Sequence, residues 1–206
     1  MEGMISDTAQ RKKMHPHKFA LWIAMASIIM MFAGLTSAYM VRQAQGNWRY
    51  YELPAIFWVS TLVILLSSIT MALGIRAFKN RAMPRYKMLT GITLTLGITF
   101  GILQAAGFYQ LYHTPQAIVM NGLTDSVNLQ PVTIPGNPSE SFLFIIAGLH
   151  LLHILGGVVA LAFVFFRSRS KNVKVYNPTG LEIVGSYWHF VDILWIYLFI
   201  FFLVNQ

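Results

Sequence analysis

The residues of this chain best placed to do chemistry are ionisable groups set in apolar sequence. The segment WHFVDILW, starting at Trp188, holds His189 and Asp192 three residues apart, which puts both on one face of a helix. A second segment, GLHLLHILGG, spaces His150 and His153 in the same way, with Gly156 and Gly157 a turn further on. Glu182 stands seven residues before His189 and ten before Asp192, near the same helical stripe, and Gln104 adds one more polar side chain to an apolar run. A charge at bilayer depth costs several kcal/mol or more unless it is paired or faces a packed interior, so such groups are functional-site hypotheses by default. Three chemistries suit them: metal ligation, proton relay, and hydrogen bonding between helices.

Metal ligation fits least. A metal centre wants three or four ligands with supporting partners, and His150, His153, His189 and Asp192 make a set that lacks the Glu-x-x-His repeats of di-iron bundles. No metal-ligating residue is therefore expected in the chain. Depth favours hydrogen bonding instead. Counted at ~1.5 Å per residue, His153 lies about 16 Å below the outer end of its apolar run and Asp192 about 13 Å above the inner end of the next. In a hydrocarbon core ~30 Å thick these levels nearly coincide, which predicts a buried hydrogen bond or ion pair between His153 and Asp192. Glu182 reads equally as the entry of a proton relay or as a first-turn acid favoured by the helix dipole. Gln104 can hydrogen-bond across helices, and Trp188 and Trp195, like the other tryptophans, read as interfacial anchors or packing.

The elements that position these groups are membrane spans. The 206 residues are 56% hydrophobic and 11% charged, less than half the charge of an average soluble domain. Apolar runs at about 19–40, 55–77, 88–111, 142–166 and 183–204 predict an all-α membrane domain of five transmembrane helices over residues 19–206, preceded by a segment 1–18. No separate soluble domain fits. Cysteine is absent, which excludes disulfides, thiolate metal sites and iron–sulfur ligation by thiolate. The basic excess does not form a nucleic-acid patch. Of the 15 lysines and arginines, 13 fall on alternate connections: before the first run, between the second and third, and between the fourth and fifth. The positive-inside rule then places the N-terminus in the cytoplasm and the C-terminus outside. The first apolar run is too long for the core of a cleavable signal peptide. The proline- and glycine-bearing segment 112–141 is the one long loop and lies outside, as a partner contact or a passive surface. Glycines within the spans, among them Gly74, Gly91, Gly97, Gly101, Gly107, Gly148, Gly156 and Gly157, read as close helix packing.

The strings ESFLFIIAGLHLLHILGG from Glu140 and GLEIVGSYWHFVDILWIYLF from Gly180 resemble the two C-terminal helices of subunit III of the heme-copper terminal oxidases, the family of cytochrome c oxidase and related quinol oxidases. GITLTLGITFGILQAAGFY is similar, more weakly, to the family's third-last helix. The resemblance spans nearly the whole chain and implies the short five-helix form, without the two extra N-terminal helices of seven-span members. It identifies His150, His153, Glu182, Trp188, His189, Asp192 and Trp195 as the family positions. It further implies an accessory, non-redox subunit of a proton-pumping respiratory oxidase, in a bacterial cytoplasmic membrane, with heme and copper held by partner subunits, phospholipid bound in a cleft, and subunits I and II as neighbours, together with further respiratory-complex subunits. An accessory subunit of nitric oxide reductase shares the fold. A stand-alone transporter or channel is the rival from another class, disfavoured by five spans without an inverted repeat. Two departures from the family pattern stand out: Ile28 follows Ser27 where many members carry a buried glutamate, and Gly107 stands where an acid often follows the glutamine of the third span.

Overall fold

A computed structural model describes residues 16–45, 53–113, 138–169 and 178–205. Five helices account for nearly all of them: α1 (Pro16–Ala44), α2 (Ile56–Lys79), α3 (Met83–His113), α4 (Pro138–Arg169) and α5 (Pro178–Val204). All five are long and apolar enough to cross a membrane, and no strand occurs among the described residues. The expected 112–141 loop falls largely outside the described residues, as do residues 1–15 of the N-terminal segment.

Most of the helices overrun their apolar runs by several residues at one end or both, because the backbone ladder continues through the headgroup layer after hydrophobicity ends. Proline marks the starts. Pro16, Pro138 and Pro178 are first residues and Pro84 is second, positions where the missing N–H would be unpaired anyway and the fixed φ suits a helix. The turn joining α2 to α3 is equally well defined. The N–H of Ala82 reaches the Ala77 carbonyl at 2.9 Å and that of Arg81 reaches Phe78 at 3.0 Å, a Schellman arrangement that requires a left-handed residue. Arg81 occupies it with φ 57°, the only non-glycine residue at positive φ among those described.

Helices α2, α3, α4 and α5 close a ring in which each packs on the next, and α1 lies outside it in the groove between α4 and α5. Helix α5, touching α2, α4 and α1, is the most buried span and α1 the least. The ring is filled from α5. Trp188 and Trp195 are among the largest fully buried side chains, seven residues apart on one face. Lipid chains are as apolar as a protein core, so helix association here rests on close packing and interhelical hydrogen bonds. Glycines supply the room. A Cβ built at Gly97 would stand 2.6 Å from the Trp188 ring and one at Gly157 3.2 Å from it, so α3 and α4 form a cradle for that indole. Gly107 and Gly185 likewise abut α2 side chains, whereas Gly101 and Gly148 have nothing within 4 Å and take no part in helix packing.

Candidate functional site

One face of α2 receives three polar side chains of α5 on its hydroxyls. Ser60 and Thr61 recur seven residues later as Ser67 and Ser68, which lines one side of α2 with hydroxyls within reach of α5. Trp188 Nε1 donates to Ser67 Oγ at 3.1 Å and Trp195 Nε1 to Thr61 Oγ1 at 3.0 Å. His189 Nδ1 lies 2.6 Å from Ser68 Oγ. From the other side, Gln104 Nε2 donates to Ser60 Oγ at 3.0 Å and Thr93 pairs with Thr70 at 2.9 Å. Trp188 and Trp195 are thus packing residues and not interfacial anchors, and Gln104 does bond across helices. The α2 hydroxyls were the partners that sequence reasoning passed over; their seven-residue recurrence within an apolar run was the available signal.

The expected pairing of His153 with Asp192 is absent. His153 turns its ring toward α1, edge-on to Phe32 at 5.8 Å, and its Nδ1 bonds the Leu149 carbonyl of its own helix at 2.7 Å. Asp192, only 2% exposed, makes no hydrogen bond of normal geometry through either carboxylate oxygen among the described residues, although the Ser68 hydroxyl lies close by. The depths agreed but the rotation about the helix axes did not, since depth fixes one coordinate and helix azimuth the other. Helices α4 and α5 are tied at this level by the Tyr187 hydroxyl, which donates to the His153 backbone carbonyl at 3.1 Å.

His150 also departs from the expected interhelical hydrogen bond. It is 1% exposed, neither ring nitrogen has a partner among the described residues, and the ring stacks on Trp195 at 5.3 Å and 27° while meeting the edge of Phe32 at 6.3 Å. It works as an aromatic spacer between α1 and α5. Among the described residues no three of histidine, cysteine, aspartate and glutamate converge on a point that could hold a metal ion.

Glu182 has real partners. Lys18 of α1 meets it at 2.7 Å and Lys79 of α2 at 3.4 Å, so one carboxylate joins three helix ends on the same side of the bundle. The stripe expected to link Glu182, His189 and Asp192 is split. Glu182 and His189 are half-exposed on the outer side of α5, and Asp192 points into the protein.

This architecture has relatives. The family described as Cytochrome c oxidase subunit III matches residues 18–205. A probable cytochrome c oxidase subunit 3 of Nocardia farcinica is 30% identical over 184 residues, covering 87% of this chain and 82% of the relative. Its counterpart in Corynebacterium diphtheriae is 29% identical over 180 residues, covering 84% and 80%, and that of Bacillus sp. PS3 is 22% identical over 183 residues, covering 86% and 80%. Over nearly its full described length, then, and with five membrane-spanning helices, the chain belongs to the cytochrome c oxidase subunit III family, as a multi-pass protein of the bacterial plasma membrane.

Proposed function

We propose that the chain supports a heme-bearing catalytic subunit without carrying redox chemistry itself. In this reading it is the accessory subunit III of a proton-pumping cytochrome c:oxygen oxidoreductase, sits beside subunits I and II, binds phospholipid, and sustains turnover of its neighbour. The N-terminus and the basic connections lie in the cytoplasm. The observation that carries the reading is where the polar groups go: the tryptophans of α5, His189 and Gln104 all bond to hydroxyls of α2, which makes them structural ties between helices. Glu182 and its two lysines form the polar mouth at the cytoplasmic end, suited to holding water near a proton entrance on the neighbouring subunit.

Affinity purification of the tagged chain from its host membranes in gentle detergent, followed by heme spectroscopy of the eluate, tests the assignment. Heme absorbance should co-elute with the chain, and its absence would overturn the reading. In the intact complex, Glu182→Gln or His189→Ala should leave the heme spectra unchanged while slowing oxygen consumption or hastening its decay over many turnovers. Unaltered consumption at several pH values would remove the proton-entrance role.

A further inference from the structure

The outer face of α5 carries a row of polar groups, one of which, the His189 ring, is only half satisfied by the described residues. Residues Glu182, Ser186, His189, Ile193, Tyr197 and Ile200 follow one another at spacings of three and four, a single stripe along the helix. Ile193 is 66% exposed, Tyr197 46% and Ile200 52%, and Ser186 is exposed as well. Helix α1 flanks this stripe on one side and α2 on the other, and those two helices do not touch among the described residues. The stripe is therefore the floor of a groove with helical walls. Its polar members lean on the walls: His189 on Ser68 of α2, and Tyr197 on Thr36 of α1 at 3.0 Å. At one end Glu182 ties Lys18 of α1 to Lys79 of α2 across the groove.

His189 is the discriminating residue. Ser68 occupies its Nδ1, and its Nε2 makes no hydrogen bond to any described residue. The ring stands about 10 Å further along the helix than Glu182, beyond the reach of headgroups, where acyl chains offer neither donor nor acceptor. An unmet polar group in hydrocarbon costs several kcal/mol, and a neighbouring helix with a polar side chain removes that cost.

Building on the assignment to an oxidase complex, we propose that the groove floored by α5 between α1 and α2 seats a transmembrane helix of a partner subunit, which packs on Ile193 and Ile200 and brings a hydroxyl or amide side chain to Nε2 of His189. A hydroxyl or amide serves either tautomer that Ser68 selects, because each can donate and accept. The net positive charge of two lysines on one glutamate at the groove mouth suits an acidic residue at the end of the incoming helix.

A photoreactive benzoylphenylalanine placed at Ile193 in the full chain, expressed in its host membranes, tests the seat. Illumination followed by purification should give an adduct with a polypeptide of the heme-bearing complex, mapped by mass spectrometry to an apolar helix with a hydrogen-bonding residue. His189→Leu in the same background should lower adduct yield about fivefold, the effect on an equilibrium of losing one ordinary hydrogen bond. Adducts with phospholipid alone, in a preparation that retains heme, would overturn the docking seat while leaving the subunit assignment intact. A yield indifferent to His189→Leu would overturn the role given to that imidazole. A preparation without heme would overturn the assignment, and the seat with it.

Discussion

Trp188 occupies the space that a side chain at Gly97 would need: a Cβ at Gly97 would lie 2.6 Å from Cη2 of the indole and 3.0 Å from Cζ2. One residue of α5 and one of α3 thus define a single ring-and-notch fit at the centre of the bundle. The same indole spends its N–H on Ser67 of α2, so one side chain fixes the spacing of α5 from three neighbours at once.

Gly97→Ala should destabilise the protein by about 1–3 kcal/mol, the usual cost of overpacking a rigid interior. Trp188→Phe in the same chain should recover part of that loss, because the smaller ring vacates the notch. Thermal denaturation of the single and double variants measures the coupling. Strictly additive effects would show that the two residues do not compete for the same space.

Much of this centre was legible in the sequence and part was not. The five helices followed from apolar run lengths, and the Trp188 segment and the GLHLLHILGG string marked the helices that matter. The His153 to Asp192 contact failed because a depth estimate says nothing about azimuth, and the azimuth of α4 is set by Phe32 and Trp195 packing around His150. The partners on α2 were serines and threonines, too common to stand out alone, and only their recurrence within one apolar run distinguishes them. Helix starts were visible as prolines, which hydropathy does not register.

Asp192→Asn should leave thermal stability unchanged or raise it slightly, and Asp192→Leu should behave alike. Neither oxygen makes a hydrogen bond of normal geometry among the described residues, the nearby Ser68 hydroxyl being bonded to His189, and removal of the buried carboxyl relieves a desolvation cost. A loss of more than about 2 kcal/mol in thermal unfolding would reveal a partner in the assembled complex.

Ser67→Ala should cost about 1–3 kcal/mol, because it strands the indole N–H of Trp188 in a closed interior. Ser67→Thr, which keeps the hydroxyl, should restore most of it. Equal losses for the two variants in a melting experiment would mean that volume and not the hydrogen bond is at stake.

Removing one partner of the Lys18–Glu182 contact should cost no more than about 1 kcal/mol, since both side chains are partly exposed and such pairs are screened. A double-mutant cycle with Lys18→Met and Glu182→Gln should give a coupling that fades as salt is raised. A coupling that persists at about 1 M salt would contradict the solvent-exposed geometry.

Arg81→Gly should stabilise the α2 to α3 turn by about 0.5–1 kcal/mol, because glycine adopts φ 57° without the clash that a Cβ brings. The melting temperature should rise. A fall would show that the arginine side chain makes a contact worth more than the backbone relief.

The peripheral position of α1 also bears on how the protein is made. Its only neighbours among the described residues, α4 and α5, are synthesised after α2 and α3, so α1 resides in lipid without them while the ribosome completes the rest. Its sequence suits that wait, with no ionisable residue but Tyr39 between Lys18 and Arg42. Helix α5 enters after α1 to α4 and meets a bundle already waiting. It is the span that carries an aspartate near its middle, a residue that alone raises the cost of membrane insertion by about 2.5–3.5 kcal/mol. The order of insertion thus assigns the costly residue to the helix whose receiving pocket already exists.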